Sequence, residues 1–284
     1  MEKFKKNLKY ITIFALLFCS LFVWVYEGAV SKKNLKVHFI DVGQGDAIFI
    51  DTPNGKQVLI DGGKNKKIVS ELGRIMSFGD KKIDIIIATH PDSDHIGGLP
   101  EVFSRYEIGL FIESGSKSDT QLDEILLRKV REEGSKTLLA KRGQVIDLGD
   151  GVEIQILFPD RDIKNIDTND ASIVARLIFG QTSFLFTGDA GIKTENILMR
   201  YPSFTIDSDV LKAGHHGSRT SSSLSFSKLV SPLYSVISAG KNNSYGHPHA
   251  EVIDIFKLIG ANIISTATHG TITFESNGEY VWVN

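Results

Sequence analysis

The chain has almost no cysteine: Cys19 is the only one among 284 residues, and it lies in an apolar segment near the N-terminus. Disulfide bonds within the rest of the chain are therefore excluded. If that part works outside the cell, where small domains often depend on disulfides, its stability must come from its hydrophobic core and from whatever it binds.

A large excess of charge is also missing, since the chain has 32 basic and 34 acidic residues and a net charge of −2. Residues 1–35 hold six lysines and two glutamates, which leaves 26 basic and 32 acidic residues, a net charge of −6, in the remainder. Strong nucleic-acid binders are usually basic, so the composition does not indicate one. Repeats and low-complexity tracts are absent, and the 42% hydrophobic content is ample for a core.

The uncharged apolar run from Tyr10 to Tyr26 is short for a membrane span. Four lysines precede it, and Trp24 and Tyr26 near its end are typical of a membrane interface. Its length lies between that of a signal-peptide core and that of a full span, and no clear cleavage site follows. We predict that residues 1–35 are a single-pass anchor in the cytoplasmic cell membrane and that the remainder is extracytoplasmic. Secretion after signal cleavage is the alternative.

Residues 36–284 are long enough for one large domain, and their pattern predicts an α/β fold. Strands at the start are followed by helices that alternate with strands. Helices are predicted around residues 68–79, 98–106, 122–134 and 251–259. Strands are predicted at residues 36–40, 47–51, 57–60, 152–157, 172–179, 182–187, 263–266, 271–275 and 280–283.

Two imidazoles and two carboxylates stand within six residues, directly after the β-like run Ile83–Ala88. Four such groups at the end of a buried strand would be costly to desolvate unless a cation balanced them. Histidine and aspartate can supply ligands to two adjacent metal ions, an arrangement used to hydrolyse phosphoesters. We therefore predict a metal site that contains His90, Asp92, Asp94 and His95.

The other histidines also follow predicted strands. Six of the eight lie at positions 90/95, 215/216 and 247/249, after β-like runs at 83–88, 209–213 and 234–238. A further predicted strand ends in Thr187-Gly188-Asp189, and this aspartate could bridge two cations. Strand ends converge on one edge of a sheet in α/β enzymes, so these groups should share one site. His38, in the first strand, and His269, in a turn, are expected to be structural, and His249 to lie on the surface.

Seven motifs occur in a fixed order: Phe39–Asp46, Leu59–Gly63, His90–His95, Asn169-Asp170 with Ser172, Thr187–Asp189, Asp209–Ser218 and Asn243–Pro248. In this order they resemble the metallo-β-lactamase fold superfamily of hydrolases. The resemblance is closest to its ComEC-like branch, the hydrolase domain of competence proteins and its free-standing relatives. It extends from about residue 36 to the C-terminus. It implies an αββα sandwich with a dinuclear metal site.

Two departures from the wider superfamily make the predicted site richer in oxygen ligands. Asp92 stands where the superfamily has the second histidine of its first motif. The chain also has no histidine between His95 and His215, and Asn169-Asp170 occupies that stretch, as in the ComEC-like branch. Softer ligand sets select zinc, whereas carboxylate-rich sets tolerate manganese. We therefore expect two divalent cations, Zn²⁺ or Mn²⁺.

The resemblance also implies roles for individual residues. The expected ligands are His90, Asp92, Asp94, His95, Asp189 and one member of the pair His215/His216. We favour His215 as the ligand because it is closer to the strand end, which leaves His216 to contact substrate or donate to a leaving group. Asp94 could also orient the attacking hydroxide. His247 is expected to face the cleft, where it could protonate the leaving oxygen or contact a phosphate.

Other polar residues are expected near the site with less specific roles. Asp61 is expected to accept a hydrogen bond from a ligand histidine, although an Asp-Gly pair can simply form a turn. Asp170 would bind the second metal weakly, although an Asn-Asp pair before a strand is usually a turn or cap. Lys212, Arg219 and Lys241 could contact phosphates, although each is expected to be solvated. The residues assigned to substrate binding or support are Asp61, Asn169, Asp170, Ser172, Lys241 and Tyr245.

The sequence leaves three functions open. The first is an extracytoplasmic, metal-dependent phosphodiesterase or nuclease that acts on DNA, with a competence-type channel supplied by a partner. The second is a hydrolase of a small ester, such as a choline phosphoester of the envelope or a β-lactam. The third is a non-catalytic module anchored in the membrane. The intact set of metal-binding side chains argues against the third, and the motifs favour the first. Neither substrate nor oligomeric state follows from the sequence.

Overall fold

A computed structural model of the chain describes residues 10, 12–20, 34–116, 118–201 and 206–284. The chain divides into two units, of which the second is Asn34–Asn284. In the first unit, residues 12–20 form an exposed helix. No helix among the described residues is both long and apolar enough to cross a membrane. Trp24, Tyr26 and the lysines before residue 10, on which the predicted anchor depends, lie outside the described residues.

The second unit alternates strands and short helices. Its strands are β1 (Leu35–Phe39), β2 (Ile48–Asp51), β3 (Gln57–Ile60), β4 (Lys82–Ala88), β5 (Glu107–Glu113), β6 (Lys136–Leu139), β7 (Val145–Gly149), β8 (Val152–Phe158), β9 (Val174–Phe179), β10 (Thr182–Phe186), β11 (Val210–Lys212), β12 (Tyr234–Ile237), β13 (Asn262–Ser265), β14 (Ile272–Ser276) and β15 (Val281–Val283). Its helices are α1 (Lys67–Ile75), α2 (Ser93–Ile96), α3 (Leu99–Phe103), α4 (Gln121–Glu133), α5 (Ile192–Leu198), α6 (Leu224–Val230), α7 (Ala250–Leu258) and α8 (Thr266–His269), with a 3-10 turn at Gly214–Gly217.

Among the described residues, the strands form two mixed sheets. The first has the order β15-β14-β1-β2-β3-β4-β5-β6, and the second has the order β13-β12-β11-β10-β9-β8-β7. Strands β3 to β6 are parallel, as are β10 to β13, while the remaining pairings are antiparallel. Parallel strands are normally covered on both faces, which explains why runs such as Ile83–Ala88 are apolar throughout.

The two sheets pack face to face, with helices outside each. Side chains of both sheets, such as Val58, Ile87 and Phe184, form the central core. Neighbouring side chains in the same strands point the other way: Leu59 and Ile86 pack under α1, α3 and α4, and Leu211 packs in a third cluster with residues of α6 and α7. Because successive strand residues alternate between faces, the residues of one apolar strand pack both in the central core and against the outer helices. The predicted αββα sandwich is confirmed.

Polar residues of the sequence motifs follow the carboxyl ends of β3, β4, β10 and β11, or precede the antiparallel strands β2 and β9. Because an antiparallel strand begins where its parallel neighbours end, all of these segments meet at one edge of the two sheets. Asp46 enters from the β2 side and Ser172 from the β9 side. The fold thus gathers residues that are far apart in sequence.

His38 offers a test of pH dependence away from this edge. It is buried in β1 opposite Thr273, whose hydroxyl lies 2.9 Å from its Nδ1 atom. Burial, with a further contribution from Lys36, lowers the pKa of His38 to about 4. The unfolded chain therefore binds more protons between pH 6.5 and 4, so folding stability is lost as the pH falls through this window.

Replacing His38 by threonine, which suits the cross-strand position, should remove this dependence. Between pH 7 and pH 4.5 we expect the variant to lose about 2 kcal/mol less unfolding free energy than the parent chain. Urea unfolding of both proteins at the two pH values, in the presence of a chelator, measures the difference. Equal losses would show that His38 does not contribute.

Candidate metal centre

The centre of the site is a buried group of four side chains, Asp46, His95, Asp189 and His216, whose potential ligand atoms all lie within 4.8 Å of one another. Each of the four residues is at most 3% exposed. They come from the β2 side, the loop after β4, the end of β10 and the turn after β11. Ionised carboxylates this deeply buried need a cation or strong hydrogen-bond donors nearby.

Three imidazoles share one arrangement: Nδ1 is fixed by a hydrogen bond and Nε2 is buried without a partner. His95 Nδ1 donates to Asp61 Oδ2 over 2.7 Å, and His216 Nδ1 donates to the carbonyl oxygen of Ser238 over 2.9 Å. His90 Nδ1 lies 3.1 Å from Thr89 Oγ1 and 3.2 Å from Ser172 Oγ. The Nε2 atoms of all three histidines are buried and unpaired. A buried imidazole nitrogen without a hydrogen-bond partner, on a ring whose other nitrogen is already held by a hydrogen bond, is suited to bind a metal ion.

Asp61 organises two of these imidazoles. Its Oδ2 atom accepts from His95 Nδ1 and from the Thr89 hydroxyl, both over 2.7 Å, and its Oδ1 atom accepts from the Thr89 backbone over 2.8 Å. Because the Thr89 hydroxyl proton is used on Asp61, its oxygen is left to accept from His90 Nδ1. Asp61 therefore orients His95 directly and His90 through Thr89. It also adopts a left-handed backbone with φ of 58°, which Asp tolerates better than most residues.

Carboxylates stand on the Nε2 side of the rings. Asp189 Oδ1 is 3.3 Å from His95 Nε2, and Asp189 Oδ2 is 3.4 Å from His216 Nε2. Asp94 Oδ2 is 3.3 Å from the same His216 atom, and Asp92 Oδ2 is 3.8 Å from His90 Nε2. Asp94 and Asp92 are partly exposed, so they line the open side of the cluster.

The electrostatics of the cluster favour bound positive charge. Burial lowers the pKa of His95, but Asp189 and Asp61 raise it more, to well above its ordinary value. Burial likewise lowers the pKa of His216, but Asp189 and Asp46 raise it to about 9. Burial raises the pKa of Asp189, yet His216 and His95 hold it well below its ordinary value. Without a metal, protons on the imidazoles thus supply the charge that the carboxylates require.

His90 differs, because burial and the neighbouring His95 lower its pKa to about 3. Its imidazole is therefore neutral at pH 7, with the Nε2 lone pair free. Neutral imidazole and carboxylate oxygen are suitable ligands for borderline divalent metals. The unpaired Nε2 atoms, together with the unpaired Oδ1 atom of Asp189, fit a divalent cation at this place.

The sequence favoured His215 as the buried, ligand-bearing member of the pair, but in the structure His216 is the buried one. The His216 ring is 1% exposed and points its Nε2 atom at Asp94 and Asp189. The His215 side chain is 26% exposed, with Nε2 3.7 Å from Asp189 Oδ2 and Nδ1 3.1 Å from Thr220 Oγ1. His216 is thus the member of the pair that faces the buried cluster, and His215 lies at its rim.

Substituting each histidine by asparagine should separate the two positions. His216→Asn should weaken binding of the tightest metal by more than roughly 100-fold, because even partners that only support ligands cost 10–100-fold. His215→Asn should leave that affinity within about tenfold. Metal content after gel filtration, followed by competition with a chromophoric chelator, gives both values. Equal losses would place both imidazoles in the same coordination sphere.

The predicted rim residues lie around His215. The His247 ring centroid is 5.6 Å from that of His215 and 5.7 Å from that of Tyr245, whose ring is stacked and 60% exposed. Asn243 holds the His247 backbone through hydrogen bonds in both directions. Burial and His215 lower the pKa of His247 to about 4, so its ring is neutral at pH 7 and its buried Nδ1 atom is unpaired. Lys241 is exposed in the same loop.

Asn169, Asp170 and Ser172, in the stretch where the wider superfamily has a histidine, differ in how closely they approach the buried cluster. The Ser172 hydroxyl accepts from the Asp189 backbone over 3.1 Å and lies against His90, so Ser172 joins two parts of the cluster. Asn169 has a buried, unpaired Oδ1 atom and lines a cavity of about 350 Å³ together with Asp189 and His215. Asp170 lines the same cavity but forms an ion pair with Lys193 at 3.1 Å. The structure gives Asp170 no contact with the buried imidazoles.

Two residues of the cluster were missed or misjudged in the sequence. Asp46 was noticed only as part of a motif, although a carboxylate directly before the apolar run Ala47–Ile50 was a usable signal. Lys212 was expected to be solvated, and this is wrong: it is 1% exposed and forms an ion pair with Asp46. From the sequence alone, a lysine at the end of β11 is expected to be exposed, because its partner Asp46 precedes a strand of the other sheet.

Comparison with known proteins agrees with this geometry. A family model described as the metallo-beta-lactamase superfamily matches residues 40–241. The fold is therefore that of a superfamily of metal-dependent hydrolases, and the buried cluster suits divalent metals. Among solved structures, the metallo-beta-lactamase fold protein YhfI from Bacillus subtilis superposes with a TM-score of 0.54 at 12% identity. This match covers 89% of this chain and 100% of that chain, and it shows the fold alone.

Curated relatives are more similar in sequence. The chain is 31% identical over 298 residues to ComE operon protein 3 of Bacillus subtilis, with 95% of this chain and 37% of that protein covered. It is 32% identical over 260 residues to competence protein ComA of Neisseria gonorrhoeae, with 92% and 35% covered. The chain thus spans about a third of the length of these relatives. It belongs to the metallo-beta-lactamase superfamily, and its relatives are ComEC-like competence proteins.

Proposed function

We propose that residues 34–284 form a metal-dependent phosphodiesterase that cuts DNA and uses two divalent cations, Zn²⁺ or Mn²⁺. The observation that carries this proposal is the convergence of three unpaired Nε2 atoms, from His90, His95 and His216, on the carboxylate of Asp189 and its neighbours. Two groups of ligands are available around Asp189. One comprises His95, His216 and Asp94, and the other His90 and Asp92.

When bound, the cations would lower the pKa of a water molecule and polarise a phosphoryl oxygen. The protein's own groups supply positioning. Asp94 is partly exposed and lies on the open side of the cluster, where its carboxylate can accept a hydrogen bond from the attacking water and orient it. Asp61, Thr89 and Ser238 hold the imidazoles in the tautomer that leaves Nε2 free. This preorganisation lowers the reorganisation cost of the reaction.

Substrate would be held at the rim. His215 lines the cavity beside Asp189, and the His247 ring lies against His215. The N–H groups of these two rings can donate hydrogen bonds to phosphate oxygens. The exposed, stacked ring of Tyr245 offers a surface on which a base could stack. Hydrogen-bond donors for phosphate oxygens beside an aromatic ring fit a nucleotide chain, which has both phosphates and bases, better than a small phosphoester that has no base.

The ComEC-like resemblance favours DNA as the substrate and an extracytoplasmic location. In this proposal, residues 1–35 anchor the enzyme in the cytoplasmic membrane, and a competence-type channel protein is its partner. The relatives are about three times as long as this chain.

A small phosphoester or other envelope ester is the second candidate substrate. The net charge of −6 over residues 36–284 favours it, since an acidic surface repels the DNA backbone. A local arrangement of donors at the rim, rather than overall charge, would then have to account for DNA binding.

The full-length protein, purified with Mn²⁺ or Zn²⁺, should be incubated with single-stranded DNA, double-stranded DNA and bis-p-nitrophenyl phosphate. The matched control is the double variant Asp94→Ala/His95→Ala. Metal-dependent DNA cleavage that the control lacks would support the proposal. Turnover of the small diester alone would replace DNA by a small substrate, and no turnover of either would contradict the phosphodiesterase activity.

A further inference from the structure

Asp46 and Lys212 form an ion pair behind the imidazoles that the proposed chemistry does not use. Both side chains are at most 2% exposed. The Lys212 ammonium also donates to the carbonyl oxygen of Gly188 over 2.8 Å and lies 3.6 Å from Asp189 Oδ1. Burying a lysine this deeply is costly unless its positive charge is paired with a negative one. Here the ammonium is paired with carboxylates of the cluster, Asp46 and Asp189.

Asp46 and Asp189 each have a buried Oδ1 atom without a hydrogen-bond partner, but the two carboxylates lie on different sides of the imidazoles of His95 and His216. Its oxygens lie 3.8 Å from His95 Nδ1 and 3.4 Å from His216 Nδ1. Those Nδ1 atoms carry the protons that are donated to Asp61 and to Ser238. Asp189 instead approaches the Nε2 atom of both rings. Asp46 is thus on the protonated edge of each ring, and the free lone pairs point to the opposite edge.

We propose that Asp46 is not a metal ligand, although it is close to the ligands, and that Lys212 is its permanent counter-ion. The ammonium holds Asp46 on the Nδ1 side of His95 and His216, so that the cation binds on the Nε2 side with Asp189 and Asp94. Lys212 is therefore a positioning residue that fixes the carboxylate behind the rings and, through Gly188 and Asp189 Oδ1, the end of β10. The proposal rests on the metal-binding part of the proposed function but not on its substrate.

This arrangement explains why the chain places a lysine in β11. A cation bound on the Nε2 side of the two rings would not reach Asp46, which lies on their Nδ1 side. The Lys212 ammonium neutralises Asp46 on the Nδ1 side of the rings, so the metal binds only on the Nε2 side. Substituting one partner leaves the other charge buried and unpaired, whereas substituting both leaves two neutral groups of similar size.

Full-length Asp46→Asn, Lys212→Met and the double variant Asp46→Asn/Lys212→Met test the proposal, with Asp189→Asn as the control that loses a ligand. Each metal-free protein is unfolded in urea, and each is titrated with Zn²⁺ against a chromophoric chelator. We expect either single variant to unfold at lower urea concentration than the parent, and the double variant to recover at least half of that shift. The double variant should bind Zn²⁺ within about fivefold of the parent, whereas Asp189→Asn should lose more than roughly 100-fold.

Loss of Zn²⁺ binding in the double variant as large as that of Asp189→Asn would overturn the proposal, because Asp46 would then be a ligand. If the double variant does not fold, the absorption spectrum of Co²⁺-loaded Asp46→Asn decides. A spectrum identical to that of the parent supports a carboxylate outside the coordination sphere, and a changed coordination number contradicts it. None of these readouts depends on DNA cleavage. A parent protein that cleaves no DNA would refute the substrate without affecting the assignment of Asp46.

Discussion

Asp189→Asn should abolish tight metal binding and lower phosphodiester hydrolysis by about a thousandfold or more. Among the described residues, Asp189 is the only one whose carboxylate lies close to the Nε2 atoms of both His95 and His216. It also lies 3.7 Å from the Nε2 atom of His215 at the rim. Asparagine keeps the size of the side chain but removes the charge and one acceptor. A loss of about 4 kcal/mol of transition-state stabilisation corresponds to this factor.

The measurement is kcat/KM for bis-p-nitrophenyl phosphate at saturating Mn²⁺, together with metal content per chain. Asp170→Asn is the matched control, because it makes the same change in a carboxylate that lines the same cavity and is paired with Lys193. We expect it to retain metal and to change kcat/KM by less than about threefold. A thousandfold loss in both variants would mean that Asp170 also binds a cation, as the sequence-based interpretation allowed.

The sequence was sufficient to predict the edge of the fold at which the site lies. His90 and Asp94 follow the apolar run of β4, and Asp189 follows that of β10 in the other sheet. Sites in α/β proteins lie beyond the carboxyl ends of such strands. The sandwich itself followed from alternating strand and helix patterns and from the family resemblance. Strands β5, β6 and β7 were not predicted. The four residues of β6 are all exposed at the edge of their sheet, so they carry no burial pattern from which a strand could be recognised.

Side-chain direction within the site could not be predicted from sequence. His215 and His216 follow a strand, in which neighbours point to opposite faces, but both residues adopt left-handed backbone conformations with φ of 46° and 56°. A Cβ atom at Gly214 would lie 2.9 Å from the Cβ of Ser221, and one at Gly217 would lie 2.7 Å from the Cβ of Pro248. No local sequence pattern shows this crowding around the turn. The same holds for Lys212, whose burial depends on Asp46 from the opposite sheet.

Asp61→Asn should have the second largest effect, although Asp61 is not expected to touch metal or substrate. Its two oxygens accept three hydrogen bonds, from the Thr89 backbone, the Thr89 hydroxyl and His95. An amide has a single acceptor oxygen, so its nitrogen would face at least one of these donors. The His95 ring loses its orientation, and His90 loses the ordered Thr89 hydroxyl.

We therefore expect the metal affinity of Asp61→Asn to fall by about 10–100-fold and its unfolding free energy by about 2–3 kcal/mol. Asp150→Asn is the matched control, since Asp150 has the same left-handed backbone, with φ of 51°, but is exposed. It should match the parent protein in both measurements. If Asp61→Asn lowers stability but leaves metal affinity unchanged, Asp61 only stabilises the turn after β3. If both fall together, orientation of the imidazoles by Asp61 is what prepares the cluster to bind its cation.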